Sequence, residues 1–174
     1  MRKIAATLAV LSIIFFSCNR SKSPIAMYGP EFENIMRSDA GVFRGFSLGD
    51  KPDSIQAKES GKPVETDDGY LYYEYKLAKG SYNITYNFDE RGLSEVQSDI
   101  FITNPEETDG VFNKFKTYFD EHYGASQTDM GYIIWSVKSE KFGEVKINLR
   151  DESAAFTADK APGKISLSIY PNKE

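Results

Sequence analysis

Thiol and imidazole are nearly missing from this chain: its 174 residues include one cysteine, Cys18, and one histidine, His122. A single thiol cannot close an internal disulfide, so stability has to come from a packed core. Zinc has no support without a cluster of His and Cys ligands, and a Ser-His-Asp hydrolase has none without a second histidine or a Gly-x-Ser-x-Gly turn. The acidic pairs Asp67-Asp68, Glu106-Glu107, Asp120-Glu121 and Asp151-Glu152 lack the spacing of a calcium loop and read as solvated turns and helix caps. His122 falls at helical spacing from Tyr118 and Phe115, near a helix C-terminus, which suits packing or a dipole contact better than catalysis. No enzyme activity, metal or cofactor is therefore expected. Basic charge is short as well: 21 Lys and Arg stand against 26 Asp and Glu, a net charge of −5, which argues against nucleic acid as a partner. The one long apolar run, Ile4 to Phe16, falls short of the roughly 20 residues that cross a bilayer.

Arg2 and Lys3 precede that run, giving the charged and short apolar regions of a secretory signal. It ends in Phe15-Phe16-Ser17-Cys18, which resembles the lipobox of bacterial lipoproteins, a small residue immediately before a cysteine that is acylated before cleavage. The resemblance implies that residues 1–17 are a signal peptide and that Cys18 is the lipidation site. Its palmitate-type acyl chains would tether the protein to a membrane. Removing residues 1–17 takes Arg2 and Lys3 from the 21 basic residues, leaving 19 against 26 acidic ones and a net charge of −7. Bulky Phe15 and Phe16 depart from the commonest lipobox and look like variants of the Bacteroidota. The polar stretch Asn19-Arg20-Ser21-Lys22-Ser23 has no acidic cluster of the kind associated there with surface export. Asn19 is also not the Asp that retains proteobacterial lipoproteins in the inner membrane. The implied address is the periplasmic face of the outer membrane.

Residues 18–41 carry Ser, Pro and Gly and few periodic apolar positions, so they read as the lipidated cysteine and a tether, with room for a short helical piece from Pro30 to Arg37. At about 3.3 Å per extended residue, such a tether reaches some 60–70 Å. Domain structure is expected from Val42. Asp50 can cap and Gly61 can end a short helix across Pro52-Asp53-Ser54-Ile55-Gln56-Ala57-Lys58-Glu59-Ser60. Three strands follow. Leu71, Tyr73, Tyr75 and Leu77 alternate with Tyr70, Tyr72, Glu74 and Lys76, and Tyr82, Ile84, Tyr86 and Phe88 alternate with Ser81, Asn83, Thr85 and Asn87. Leu93 to Ile102 completes the meander. At Asn104-Pro105-Glu106-Glu107 the period changes to that of a helix carrying Val111, Phe112, Phe115, Tyr118, Phe119 and His122, which Gly124 ends. Three more strands are expected at Tyr132–Lys138, Gly143–Arg150 and Lys164–Tyr170, the last after a long connection from Asp151 to Gly163.

The two halves, 42–103 and 104–174, can be laid on one another. Asp68-Gly69-Tyr70-Leu71-Tyr72-Tyr73 is echoed by Asp129-Met130-Gly131-Tyr132-Ile133-Ile134-Trp135, so that Leu71, Tyr73 and Tyr75 fall on Ile133, Trp135 and Val137. The predicted fold class is α+β: two tandem helix-plus-three-strand units forming one antiparallel sheet, with helices packed on one face. Leu48-Gly49-Asp50, Ile55 and Gly61-Lys62-Pro63 carry a resemblance to the tandem proteins related to β-lactamase inhibitor protein (BLIP-like). The half-unit is similar to outer-membrane assembly lipoproteins of the SmpA/OmlA type. This resemblance implies a concave second sheet face that binds other proteins; no segment matches an inhibitory loop, so no inhibitory residue is implied.

With Leu71, Tyr73, Ile133 and Trp135 inward, the opposite face receives Tyr70 and Tyr72 from one half and Tyr132 and Ile134 from the other, joined by Phe101. Aromatic anchors dominate many interfaces, so these five are the candidate binding residues. The expected function is a non-enzymatic envelope lipoprotein that binds an envelope protein, as an assembly accessory or inhibitor-like module. A periplasmic small-ligand binder using the same face is the alternative, and an enzyme of unfamiliar type a third reading. An open aromatic saddle would favour the protein partner, and a pocket of convergent polar groups the other two.

Overall fold

A computed structural model describes residues 23–155 and 161–172; the signal-peptide and Cys18 assignments lie outside them. Helices α1 (Pro30–Met36) and α2 (Pro52–Lys58) precede strands β1 (Glu65–Asp67), β2 (Tyr70–Leu77), β3 (Gly80–Asp89) and β4 (Gly92–Ile102). Helix α3 (Thr108–Tyr123) is followed by β5 (Gln127–Asp129), β6 (Tyr132–Ser139), β7 (Gly143–Asp151) and β8 (Gly163–Pro171). All eight strands form one antiparallel sheet in the order β1-β2-β3-β4-β8-β7-β6-β5. The fold is therefore α+β, as the periodicity predicts. Each half is a meander, and their last strands, β4 and β8, pair at the centre from Val96↔Ile169 to Ile102↔Gly163. The equivalence of β2 and β6 holds in register: each has eight residues and follows a three-residue strand across a two-residue turn.

Two-residue alternation sends one side chain in two to the helical side of the sheet. There Tyr73, Ile84, Tyr86, Trp135, Ile147 and Ile169 are buried. Helix α3 lies over β6, β7 and β8, with Phe119 packed on Trp135 at 5.2 Å between ring centroids. Its N-terminus approaches β8 so closely that a Cβ on Gly163 would sit 1.8 Å from Thr108 Oγ1, which explains glycine at this strand position. No helix among the described residues is long and apolar enough to cross a membrane.

Four expectations change. Each half has four strands, because β1 and β5 are exposed three-residue pieces too short to show a period. Asp50 does not cap α2. The helix begins at Pro52 behind Lys51, and the Asp50 carboxylate instead accepts from the Ser47 N–H at 3.0 Å. Gly61 does not end that helix, which stops at Lys58 with Glu59 already extended.

The largest change is at the N-terminus. Residues 24–36, expected to be tether, are part of the domain: α1 is the helical piece read from Pro30 to Arg37, and together with a 3-10 turn (Pro24–Tyr28) it buries Ile25, Tyr28, Phe32, Ile35 and Met36. Phe32 packs on Phe115 and Tyr118 of α3 at 4.7 and 5.0 Å. The Tyr28 hydroxyl donates to Glu121, and burial together with that carboxylate pushes its pKa up to about 12.

The same segment is pinned to the first half by a buried ion pair. In the turn Phe43-Arg44-Gly45-Phe46, Arg44 and Gly45 both have positive φ, at 56° and 84°, which sends both phenyl rings into the core. A left-handed arginine is unfavourable alone; here its side chain offsets the cost. Arg44 donates from Nε and Nη2 to the two oxygens of Glu59, each at 2.8 Å, and from Nη1 to the Ile35 carbonyl at 2.6 Å. Both side chains have no exposed surface. Arg37, Tyr75 and Tyr86 also donate to Glu59. Burial alone would raise the Glu59 pKa, but the arginine and tyrosine donors hold it below the ordinary carboxylate value.

Candidate binding face

The sheet side away from the helices carries the polar members of each alternation. Tyr70, Tyr72, Phe101, Tyr132 and Ile134 all lie there and all are half-buried. They do not form one aromatic patch. Tyr72 and Tyr132 line the same cleft of about 280 Å³. Phe101 lines a different hollow with Val64 and Lys76, and its ring lies 6.0 Å from Lys164 Nζ. Tyr70 and Ile134 border neither hollow.

Strands β2 and β6 are five steps apart in the sheet. At about 4.8 Å per step, a flat sheet would hold their residues some 24 Å apart. That Tyr72 and Tyr132 border one cleft fits a sheet that twists and curls toward this side, which makes the face concave. Between the tyrosines the cleft is lined by Asn83 and Thr85 of β3, Gln97 and Asp99 of β4, Ser166 and Ser168 of β8, and Asn148 of β7. These residues were not singled out in the sequence. Their signal is short polar side chains at the outward positions of central strands, where longer side chains would fill the hollow.

Hydrogen bonds fix the walls. The Tyr72 hydroxyl donates to Glu74 at 2.9 Å, and Tyr132 accepts from Arg150 at 3.2 Å, whose guanidinium lies 4.8 Å from the ring centre. Beside the floor, Lys164 Nζ bridges Asp99 at 3.1 Å and Glu152 at 3.0 Å, and Ser166 Oγ lies 2.9 Å from both carboxylates. Burial alone would lower the Lys164 pKa, but the two carboxylates hold it above the ordinary lysine value. The ammonium therefore stays protonated at neutral pH and is no base for Ser166. Asn148 Nδ2 donates to the Tyr170 hydroxyl at 2.7 Å, while its Oδ1 is buried without a partner.

Among the described residues no group of three or more His, Cys, Asp and Glu is arranged to hold a metal ion. His122 lies on α3, outside this cleft; its Nδ1 is 2.8 Å from the Tyr118 carbonyl and its ring 3.9 Å from the Tyr118 ring. That geometry suits packing at the helix end. No protein-family model, curated protein or solved structure gives a significant match to this chain.

Proposed function

We propose that this chain is a non-enzymatic binding module of the bacterial cell envelope, anchored through lipid on Cys18 and held on the periplasmic face of the outer membrane. Its partner, an envelope protein, would be engaged through the concave sheet face, with the module acting as an assembly accessory or inhibitor-like unit. One observation carries the reading: Tyr72 and Tyr132, from equivalent strands of the two halves, stand on one cleft on the side that no helix among the described residues covers. The tandem arrangement also supports the BLIP-like resemblance, whose members are expected to use that surface. A specific observation favours small-ligand binding as a second reading: the centre of the face is a cleft of convergent polar groups rather than an aromatic saddle.

The test is the double variant Tyr72→Ala with Tyr132→Ala. Both side chains are half-buried on the solvent side, so the variant should unfold within about 1 kcal/mol of the parent yet fail to capture the cross-linked envelope partner. A variant that keeps full capture would remove the face from consideration. Separately, Cys18→Ala should abolish recovery in the membrane fraction and labelling by radioactive palmitate; persistence of both would sink the anchor.

A further inference from the structure

We propose that the cleft between Tyr72 and Tyr132 is a subsite for a neutral saccharide. This rests on the concave face being the binding surface and names what its centre takes. The floor offers groups that both donate and accept: the amides of Asn83, Gln97 and Asn148, and the hydroxyls of Thr85, Ser166 and Ser168. An amide presents a donor beside an acceptor, the pattern that neighbouring sugar hydroxyls return. Net charge is not on offer, because Asp99, the one carboxylate of the lining, and its neighbour Glu152 are balanced by Lys164 and Arg150. An ion entering here would lose hydration and meet a site already compensated.

Asn148 is held in place in that floor: its Nδ2 donates to the Tyr170 hydroxyl at 2.7 Å, which fixes the orientation of the amide. The walls supply the other half of saccharide recognition, since a sugar ring shows C–H groups on its faces and hydroxyls at its rim. It can meet a tyrosine ring and a hydrogen-bonding floor at once.

A peptide cannot be taken up here by strand addition, which needs an unpaired strand edge. The floor strands β3, β4, β8 and β7 are all interior to the sheet, with a neighbour on each side. Only side chains are free to bind. At about 280 Å³ the cleft lies at the small end of ligand sites and suits a short part of a glycan.

Side-chain amide resonances read this site directly. Titrating the full chain, solubilised in detergent, with chitotetraose, cellotetraose and maltotetraose should shift the Asn83, Gln97 and Asn148 amides with at least one of the three. Tyr72→Ala or Tyr132→Ala should weaken that binding about tenfold. No shift with any of the three, or an equal shift with the open-chain polyol mannitol, overturns the assignment. If the saccharides fail while the double tyrosine variant still loses its envelope protein, the saccharide site falls and the concave-face reading stands. If the double variant also keeps its partner, both fall.

Discussion

The two halves of the sheet share a topology and differ in what fills the space above it. In the second half, the 16-residue α3 buries Val111, Phe115, Tyr118 and Phe119 over Trp135, an almost wholly apolar contact with one polar tie, Trp135 Nε1 donating to Asp120 at 3.0 Å. In the first half, the seven-residue α2 buries Ile55 alone. The strands beneath it are correspondingly rich in tyrosine, with Tyr75, Tyr82 and Tyr86 around the Arg44–Glu59 pair. A short helix leaves space, and here a polar network together with the N-terminal segment occupies it. Equivalent topology therefore does not imply equivalent energetics. An apolar contact tolerates approximate shape at modest cost, whereas a buried ion pair depends on every partner being present.

Mutations can break this contrast from either side. The largest effect is expected from Trp135→Ala, which empties the second half and should lower unfolding free energy by about 4 kcal/mol in urea titration. Glu59→Gln keeps the volume but leaves Arg44 buried without its counter-charge, and should cost about 3 kcal/mol. Replacing both partners by apolar residues, Arg44→Met with Glu59→Leu, should recover much of that loss. A double variant worse than Glu59→Gln alone would show that the network is needed for more than compensated burial. The smallest effect is in pH dependence. Because the folded-state pKa of Glu59 lies below its ordinary 4.5, the carboxyl contributes stability that is complete above the unfolded value. That contribution disappears as pH falls through the depressed value. Acid titration of stability should therefore be shallower in Glu59→Gln than in the parent, and identical slopes would count against a depressed Glu59.

The same contrast separates what was readable in the sequence from what was not. The long strands and α3 were legible because alternation and three-to-four spacing report burial directly, and the match of Gly69 to Gly131 located the repeat. Even there the turns diverge: Met130 and Gly131 both take positive φ, while Gly69 does not. The strap of residues 24–36 was legible only in part: the helical piece read from Pro30 to Arg37 is α1, but the 3-10 turn before it and the burial of both were not, since their apolar faces make sense only against α3. Arg44 and Glu59 were invisible because a charged residue ordinarily signals solvent, and nothing local announces a partner 15 residues away. At the candidate site, the five aromatic and aliphatic positions were placed on the correct face. Their separation into different hollows depends on sheet curvature, which alternation does not encode. The polar floor of the cleft was hidden among ordinary outward positions.

Burial of residues 24–36 in the helical layer also shortens the leash that lipid on Cys18 would provide. A chain expected to hang loosely for more than 20 residues is left with Asn19 to Ser23 between Cys18 and its first turn, a span of about 20 Å when extended. An acyl group on Cys18 would then hold the protein close to the bilayer by its helical back. The concave face would look away from the lipid, presented to whatever occupies the space beyond.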